Sequence, residues 1–281
     1  MRIDLHTHSS VSDGTDSPTQ LVANAAAAGL NVVALTDHDT TAGWAEAATE
    51  AKLRDVRLLR GAELSTNSAS GDTVHMLAYL FDPTAPGLTA ELKRAPEQRR
   101  ERIRRIVENL SVDYDISFDN VAARVLPGSM FGKPHIAEEL AALGIVSSNL
   151  HAYDTLLADG SKYEVDVERM SPSTAVRLIT KAGGVAVIAH PRDGGRGRGL
   201  DRSELAELKE AGLFGLEVYH REHTESARAE LLDIAQSLDL RVTGSSDYHG
   251  SRKLNQLGEN TTQQDVLDAL LAAATSGMEL L

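Results

Sequence analysis

The chain has 281 residues, of which 42% are hydrophobic and 25% charged, a composition typical of a folded globular protein rather than a disordered or fibrous one. Its 28 basic and 41 acidic side chains give a formal net charge of -13, so we expect no general electrostatic attraction to long nucleic acid. The absence of cysteine excludes disulfides, thiolate chemistry and cysteine-based zinc sites. A phosphate ligand would therefore have to be met by clustered arginine or by bound metal.

The first residues, MRIDLHTH, reach an aspartate and two histidines at once and leave no room for the apolar core of a signal peptide. No uninterrupted apolar segment approaches the roughly 18 residues expected of a membrane-spanning helix. We therefore expect a cytoplasmic location, no membrane partner and no obligate protein partner.

Short apolar segments alternate with segments of helical periodicity through most of the chain. The predicted strands are 3–5, 32–35, 57–60, 73–80, 185–189, 215–219 and 240–243. The predicted helices between them include 18–28, 41–53, 173–181 and 226–237. This alternation predicts βα units and a mainly parallel sheet. The continuous apolar segment VAVIA at 185–189 is typical of a strand buried on both faces.

The alternation stops between about residues 83 and 172, where the pattern predicts helices at 95–110, 118–124, 133–143 and 153–157. We interpret this segment as a mainly helical insertion. It divides the chain into a first α/β part at 1–84, the insertion at 85–172 and a second α/β part at 173–281. The glycine-rich segment GGRGRG at 194–199 predicts a mobile loop.

Side chains that can bind metal recur at the ends of the predicted strands, and one more lies within the fourth. In a βα barrel the loops that follow the strands meet at one face, so residues scattered along the sequence would share one pocket. The candidates are His6, His8, Asp13, His38, Glu63, His75, His190, Asp247 and His249.

Each candidate alone is weak evidence, because a single histidine is more often a surface or core residue and a buried Glu63 could be held in a salt bridge. Their coincidence is the stronger argument. His6 and His8 point the same way in an extended segment, and Asp247 and His249 repeat that spacing. Nine imidazole and carboxylate donors suit two or three borderline divalent ions, such as Mn2+, Fe2+ or Zn2+, and a carboxylate such as Glu63 can bridge two ions.

Six segments resemble the motifs of the PHP (polymerase and histidinol phosphatase) superfamily of metal-dependent phosphoesterases. They are HTHSSVSDGT at 6–15, TDHDT at 36–40, GAELST at 61–66, the strand around His75, IAHP at 188–191 and GSSDYHG at 244–250. The resemblance implies an α/β fold, a distorted seven-stranded (βα)7 barrel with a trinuclear metal centre. It implies one ion on His6, His8, Glu63 and Asp247, a second on Asp13, His38 and His249, and a third on Glu63, His75 and His190.

The insertion resembles that of small stand-alone members that act on nucleotides, namely AMP and 3',5'-nucleoside bisphosphate phosphatases and a 5'-3' ribonuclease. The segments RRERIRRI at 99–106 and GKPHIAEEL at 132–140 carry this resemblance, with Lys133 where the family more often has arginine. It implies that the substrate is held by Arg99, Arg102, Lys133 and His135. Helical periodicity alone leaves open whether a phosphate is bound by Arg99 and Arg102 or by Arg100 and Arg104 on the other flank. It also leaves open whether these arginines form a solvated face paired with nearby glutamates.

The expected reaction is hydrolysis of nucleotide phosphate monoesters by a metal-activated hydroxide. The candidate catalytic residues are His38, His220 and His223. The last two follow the strand at 215–219 and could protonate the leaving oxygen, contact substrate, or be ordinary loop histidines. The alternatives are a 5'-3' exonuclease on short RNA oligonucleotides, a metal-dependent amidohydrolase, and a non-catalytic module stabilised by metal. The sequence leaves open which nucleotide, which metal and which oligomeric state apply.

Overall fold

The computed structural model describes residues 1–125, 129–158, 160–192 and 199–281, and within them seven strands form one sheet. The strands are β1 (Ile3–Asp4), β2 (Val32–Leu35), β3 (Arg57–Asn67), β4 (Thr73–Tyr79), β5 (Val185–Ile188), β6 (Gly215–Tyr219) and β7 (Arg241–Gly244). They lie in the sheet in chain order, so each strand is hydrogen-bonded to its neighbours in sequence.

The helices of the described ranges lie between and after the strands. They are α1 (Pro18–Ala27), α2 (Trp44–Ala51), α3 (Pro86–Leu110), α4 (Phe118–Ala122), α5 (Lys133–Ala142), α6 (Asn149–Asp154), α7 (Pro172–Lys181), α8 (Arg202–Glu210), α9 (Glu225–Ser237) and α10 (Gln264–Ala273). None of them, within these ranges, combines the length and apolar character needed to cross a bilayer.

The sheet is almost closed into a barrel. Strands β1, β2 and β3 pair in parallel, and so do β5, β6 and β7. Beyond the strand ends, Thr7 and Tyr248 form a parallel bridge, and the backbone N–H of His8 donates to the Tyr248 carbonyl at 2.8 Å. These contacts join the first edge of the sheet to the last, which confirms the predicted distorted seven-stranded barrel.

The distortion is at β4, which pairs antiparallel with both β3 and β5. Only residues 68–72 connect β3 to β4, and a parallel pair needs a crossover of roughly a dozen residues or more. The chain therefore turns back on itself here. The expectation of a mainly parallel sheet holds for the other strands, and β4 is the exception.

The chain forms two compact units. One comprises Met1–Glu91 with Arg169–Leu281 and contains the whole sheet; the other is Leu92–Glu168. The division at residues 84 and 172 suggested by the sequence stays a prediction. The second unit has its own apolar core, in which the predicted face of α3 is buried: Ile103, Ile106, Val107 and Leu110.

The core of the first unit explains why its strands are apolar. Every residue of β2 and of β5 is buried, as expected for strands covered on both faces. Leu5, Leu59, Leu77 and Tyr79 belong to one buried cluster, and the Tyr79 hydroxyl donates to the Leu5 carbonyl at 2.8 Å. This packing fixes the strands from which the polar loops emerge.

Several predicted elements need correction. Strand β3 extends to Asn67, so Glu63 lies inside the strand rather than after it. Helix α3 begins at Pro86 rather than at 95. Helix α6 lies at Asn149–Asp154 rather than 153–157, because the Ser148 side chain caps its start by accepting from the His151 N–H.

Two helices were missed. Helix α8 has a capping box in which Asp201 and Glu204 accept from each other's backbone N–H, a signal readable in the sequence. Helix α10 follows the last strand and packs Leu267 and Leu270 into the core of the first unit. The loop predicted at 194–199 lies, apart from Gly199, outside the described residues.

Candidate metal centre

The nine predicted ligands lie together in the first unit, at one end of the barrel. Strands β1, β2, β5 and β7 end shortly before most of them. Glu63 lies in the part of β3 that extends past its pairing with β2, and it forms a parallel bridge with His38. His75 lies near the start of β4, opposite Ser65 of β3. Because β4 is antiparallel, its start is at the same end of the sheet as the ends of the parallel strands.

Glu63 lies at the centre of this arrangement and is 1% exposed. Three imidazole nitrogens approach its Oε2: His6 Nε2 at 3.3 Å, His8 Nε2 at 3.1 Å and His38 Nδ1 at 3.1 Å. Two more approach its Oε1: His75 Nδ1 at 2.6 Å and His190 Nε2 at 3.1 Å. One buried carboxylate therefore joins five histidines from four segments of the chain, since His6 and His8 share one loop.

Two aspartates complete the cluster on either side. Asp247 Oδ1 lies 3.4 Å from both His6 Nε2 and His8 Nε2. Asp13 Oδ1 lies 3.3 Å from His249 Nε2, and Asp13 Oδ2 lies 3.8 Å from His38 Nε2. All of these side chains are buried except Asp13, which is partly exposed.

Among the residues that the structure describes, three groups have donor atoms that all lie within 4.8 Å of one another, a spacing compatible with shared ions. They are His6, His8, Glu63 and Asp247; His8, Asp13, His38 and His249; and His38, Glu63 and His75. The first group matches the implied first ion, and the second adds His8 to the implied second. The third contains His38 where the resemblance implied His190; His190 approaches the same Glu63 oxygen, Oε1, as His75.

The orientation of His6 indicates that a cation fits here. Its Nδ1 faces Glu217, 3.3 Å and 3.4 Å from the two carboxylate oxygens, so in the neutral ring Nδ1 carries the proton and Nε2 is left to offer its lone pair. That Nε2 lies 3.0 Å from the Nε2 of His8 and beside two carboxylates. Lone pairs and anionic oxygens that converge in a buried site need positive charge between them, and this mixed donor set suits borderline divalent ions.

The electrostatics of the cluster also favour cations. Burial lowers the pKa of His8, but its hydrogen bonds with Asp247 and Glu63 raise it to about 9. Burial raises the pKa of Glu63, and the imidazoles of His75, His38 and His6 outweigh this and hold it well below the usual range. Protons on the imidazoles thus balance the buried carboxylates, and a metal ion would displace them.

Glu217 is a residue of the site that the sequence analysis missed. It lies in β6, is fully buried, contacts His6, and accepts the backbone N–H of His190 at 2.8 Å. Burial acts to raise the pKa of its carboxyl, but the imidazole of His6 and its neighbours lower it to about 2. An acidic residue within the apolar strand GLEVY was the available signal, because an unpartnered charge is costly in a buried strand.

Asp37 follows β2 but supports the cluster rather than joining it. Its Oδ1 accepts from the Ser9 N–H at 2.7 Å and from the Ser12 hydroxyl at 2.6 Å. Its Oδ2 accepts from the Ser9 hydroxyl at 2.6 Å. These hydrogen bonds fix the loop that presents Asp13.

Two of the predicted ligands have strained backbone. His190 has φ of 27° and Asp247 has φ of 53°, the left-handed region that side chains other than glycine enter rarely. Such a conformation costs about 1–3 kcal/mol and is concentrated at functional sites. The fold therefore tolerates strain at the two points where it aims these side chains at the cluster.

The two histidines after β6 have different surroundings. His223 Nδ1 donates to the Val218 carbonyl at 2.8 Å, and its Nε2 accepts from the Arg192 N–H at 3.2 Å, so backbone groups occupy both nitrogens. His220 Nε2 lies 3.6 Å from Asp247 Oδ2. The Lys253 ammonium lies 2.7 Å from the same oxygen, a contact that the sequence analysis did not anticipate.

The four predicted substrate-binding residues all belong to the second unit. Arg102 donates to the Val165 carbonyl at 3.0 Å, and Lys133 donates to the Leu157 carbonyl at 3.1 Å. His135 is buried at the start of α5, with its Nδ1 accepting the Gly132 N–H at 3.2 Å. Arg99 lies on α3. The contacts of Arg102 and Lys133 show that these side chains also stabilise the unit itself.

We expect Glu217→Gln to weaken Mn2+ binding by about 10- to 100-fold, because the amide no longer fixes the charge and tautomer of His6. Titration of metal-free protein with Mn2+ measures the effect. Glu210→Gln, at the exposed end of α8, is the matched control and should bind Mn2+ like the unmodified protein. Equal affinity in a folded Glu217→Gln protein would show that this contact does not organise the site.

Comparison with known proteins agrees with the fold. Residues 4–158, more than half of the chain, match the PHP domain family. The chain is 35% identical over 272 residues to a 5'-3' exoribonuclease of Haemophilus influenzae, covering 96% of this chain and 97% of the relative. It is 35% identical over 248 residues to a 3',5'-nucleoside bisphosphate phosphatase of Chromobacterium violaceum, covering 88% of this chain and 87% of that relative.

Solved structures of similar proteins have the same fold. A Bifidobacterium adolescentis protein described as a candidate metal-dependent phosphoesterase superposes with a TM-score of 0.92 at 38% identity, covering 97% of this chain and 96% of that one. A Chromobacterium violaceum protein named an amidohydrolase, with bound sulfate and no metal, gives 0.86 at 32% identity and covers 98% of both. This identity and coverage, on a seven-stranded barrel with a histidine–carboxylate cluster, show that the chain belongs to the PHP domain family.

Proposed function

We propose that this chain is a metal-dependent phosphoesterase that hydrolyses phosphate monoesters of mononucleotides, of the AMP or 3',5'-nucleoside bisphosphate type. The observation that carries the proposal is the buried Glu63 carboxylate surrounded by five histidines, a donor set suited to divalent cations. The relatives named phosphatase and exoribonuclease support phosphate esters of nucleotides as the substrate class.

The proposed ligands are the nine residues of the cluster, holding two or three ions of Mn2+, Fe2+ or Zn2+. Bound ions of this kind supply charge that stabilises phosphate oxygens and lowers the pKa of a neighbouring water. Within the protein, Glu217 orients His6, and Asp37 fixes the loop of Asp13. The cluster has only three carboxylates among its nine ligands, so two or three divalent ions would leave it positive and attractive to a phosphate dianion.

The substrate residues form a separate part of the proposal. Arg99, Arg102, Lys133 and His135 would hold the nucleotide, with a guanidinium gripping a phosphate through paired hydrogen bonds. His38 and His220 would act at the reacting phosphate. We assign His223 a supporting role, because both of its nitrogens are engaged by the backbone. A cytoplasmic location and independence from a protein partner are also proposed, from the sequence alone.

The second candidate function is 5'-3' exonuclease activity on short RNA. It is favoured by the Haemophilus influenzae relative, which the alignment covers almost end to end. Both candidates use the same phosphoester chemistry and differ in whether a mononucleotide or an oligonucleotide is bound.

A substrate screen tests the proposal. Purified, Mn2+-loaded protein is incubated with AMP, a 3',5'-bisphosphate, a 5'-phosphorylated dinucleotide and an amide substrate, and phosphate, nucleoside and amine are measured separately. We expect free phosphate from the mononucleotides, loss of that activity with a chelator, and recovery with Mn2+. Release of mononucleotides from the dinucleotide alone would select the exonuclease.

Two other results of the screen would overturn the proposal. Amine release without phosphate release would identify an amidohydrolase, the name that one structural relative bears. A metal-loaded protein inert to every ester would favour the non-catalytic module.

Arg99→Ala tests the substrate residues. We expect KM to rise about 10- to 100-fold, the loss expected for hydrogen bonds to a charged phosphate, with metal content unchanged. Arg104→Ala is the matched control on the same helix, because the Arg104 side chain is 44% exposed and pairs with Glu101 and Glu108. Unchanged kinetics in Arg99→Ala would remove Arg99 from the substrate site.

A further inference from the structure

His220 follows β6 and is 1% exposed. Its Nδ1 accepts a hydrogen bond from the backbone N–H of Glu222 at 3.3 Å. A neutral imidazole has one donor and one acceptor nitrogen, so the proton of His220 is on Nε2. Within the part of the chain that the structure describes, this buried Nε2 has no hydrogen-bond partner.

This arrangement is the reverse of that in two of the metal-binding candidates, His6 and His249. His6 Nδ1 faces the Glu217 carboxylate, and His249 Nδ1 donates to the Asp247 carbonyl at 2.8 Å. Both imidazoles therefore present the lone pair of Nε2 to the cluster, as histidine ligands do when the other nitrogen donates to an acceptor. In His220, Nε2 carries the hydrogen instead. This nitrogen therefore lies beside the cluster without the free lone pair that a metal ion needs.

The groups around His220 indicate which kind of ligand could accept a hydrogen bond from its Nε2–H. The Oδ1 oxygen of Asp247 faces the cluster. Its Oδ2 oxygen lies 3.6 Å from His220 Nε2 and 2.7 Å from Lys253 Nζ. Two donors thus lie beside the Oδ2 oxygen of a proposed ligand, next to a site for cations. A buried N–H that lacks an acceptor is costly, and a phosphate group has several oxygens that accept hydrogen bonds.

We propose that His220 is a substrate-binding residue whose Nε2–H donates a hydrogen bond to an oxygen of the phosphate group held at the metal centre. The inference rests on the proposed function, since it requires a phosphate ester as ligand. In this proposal His220 binds the substrate, and the ions are bound by the histidines of the cluster.

The tautomer can be measured directly by nitrogen-15 NMR on the unmodified protein. We expect the His220 signals, assigned by their absence in His220→Asn, to show a protonated Nε2 and an unprotonated Nδ1 both without metal and with a diamagnetic ion such as Zn2+. Inorganic phosphate should then shift the Nε2–H signal. A protonated Nδ1, with an Nε2 signal that moves on Zn2+ binding, would make His220 a ligand and overturn the inference.

Two variants test the hydrogen bond. In His220→Asn the amide oxygen can still accept from Glu222, but nothing reaches the position of Nε2; in His220→Gln an amide N–H reaches that position. We expect calorimetry on Mn2+-loaded protein to show inorganic phosphate binding weakened about tenfold or more in His220→Asn and partly restored in His220→Gln. Metal content should be unchanged in both. His151→Asn, at an exposed histidine of α6, is the control.

The outcomes separate this inference from the proposed function. Loss of metal in His220→Asn would mean that His220 acts through Asp247, and unchanged phosphate binding would mean that it makes no such contact; either result overturns the inference. A protein that binds phosphate through His220 but hydrolyses no ester would instead contradict the proposed function. If His220→Asn fails to fold, the tautomer and phosphate titration of the unmodified protein, assigned with His220→Gln, decide the question.

Discussion

The structure depends on the burial of one carboxylate among histidines. Glu63 is almost inaccessible to solvent, and five imidazoles from four segments of the chain approach its two oxygens. Buried charge must be paired, and here the pairing in the metal-free protein comes from protonated imidazoles, such as His8 with its raised pKa of about 9. The same geometry provides converging donors for divalent ions. Protons and metal ions therefore compete for the same imidazole and carboxylate atoms, which the fold holds in place.

The barrel explains how such distant residues meet. Parallel strands bring their carboxyl ends to one face, and the reversed strand β4 brings its first half to that same face. The bridge between Thr7 and Tyr248 joins the loop of His6 and His8 to that of Asp247. Strained backbone at His190 and Asp247 is the cost of this convergence, and the hydrogen bonds of Glu217 and Asp37 hold the ligands in position.

Much of this was readable in the sequence. The apolar segment of β2 predicted that strand at the observed residues, because burial on both faces removes polar interruptions. Strand β6 also lies at the predicted residues, although it contains the buried Glu217. The positions of the candidate ligands predicted that they would converge. The reversal of β4 was not predicted, because a short apolar strand does not reveal its direction; the short connection at 68–72 was the available signal.

The finer features of the site required coordinates. Glu217 was overlooked as part of an apolar strand, and the contact of Lys253 with Asp247 depends on the fold of the last loop. The sequence treated His220 and His223 alike, whereas their hydrogen bonds give them different roles. The tautomer of a histidine is set by the groups that surround its ring, and the spacing of residues along the chain does not reveal those groups.

Anomalous X-ray scattering from crystals of the protein saturated with Mn2+ tests the proposed metal centre directly. We expect two or three manganese peaks within bonding distance of the cluster around Glu63, His6 and Asp247. Crystals that contain no manganese at this face of the barrel, with those three side chains turned away from one another, would contradict the proposed metal centre.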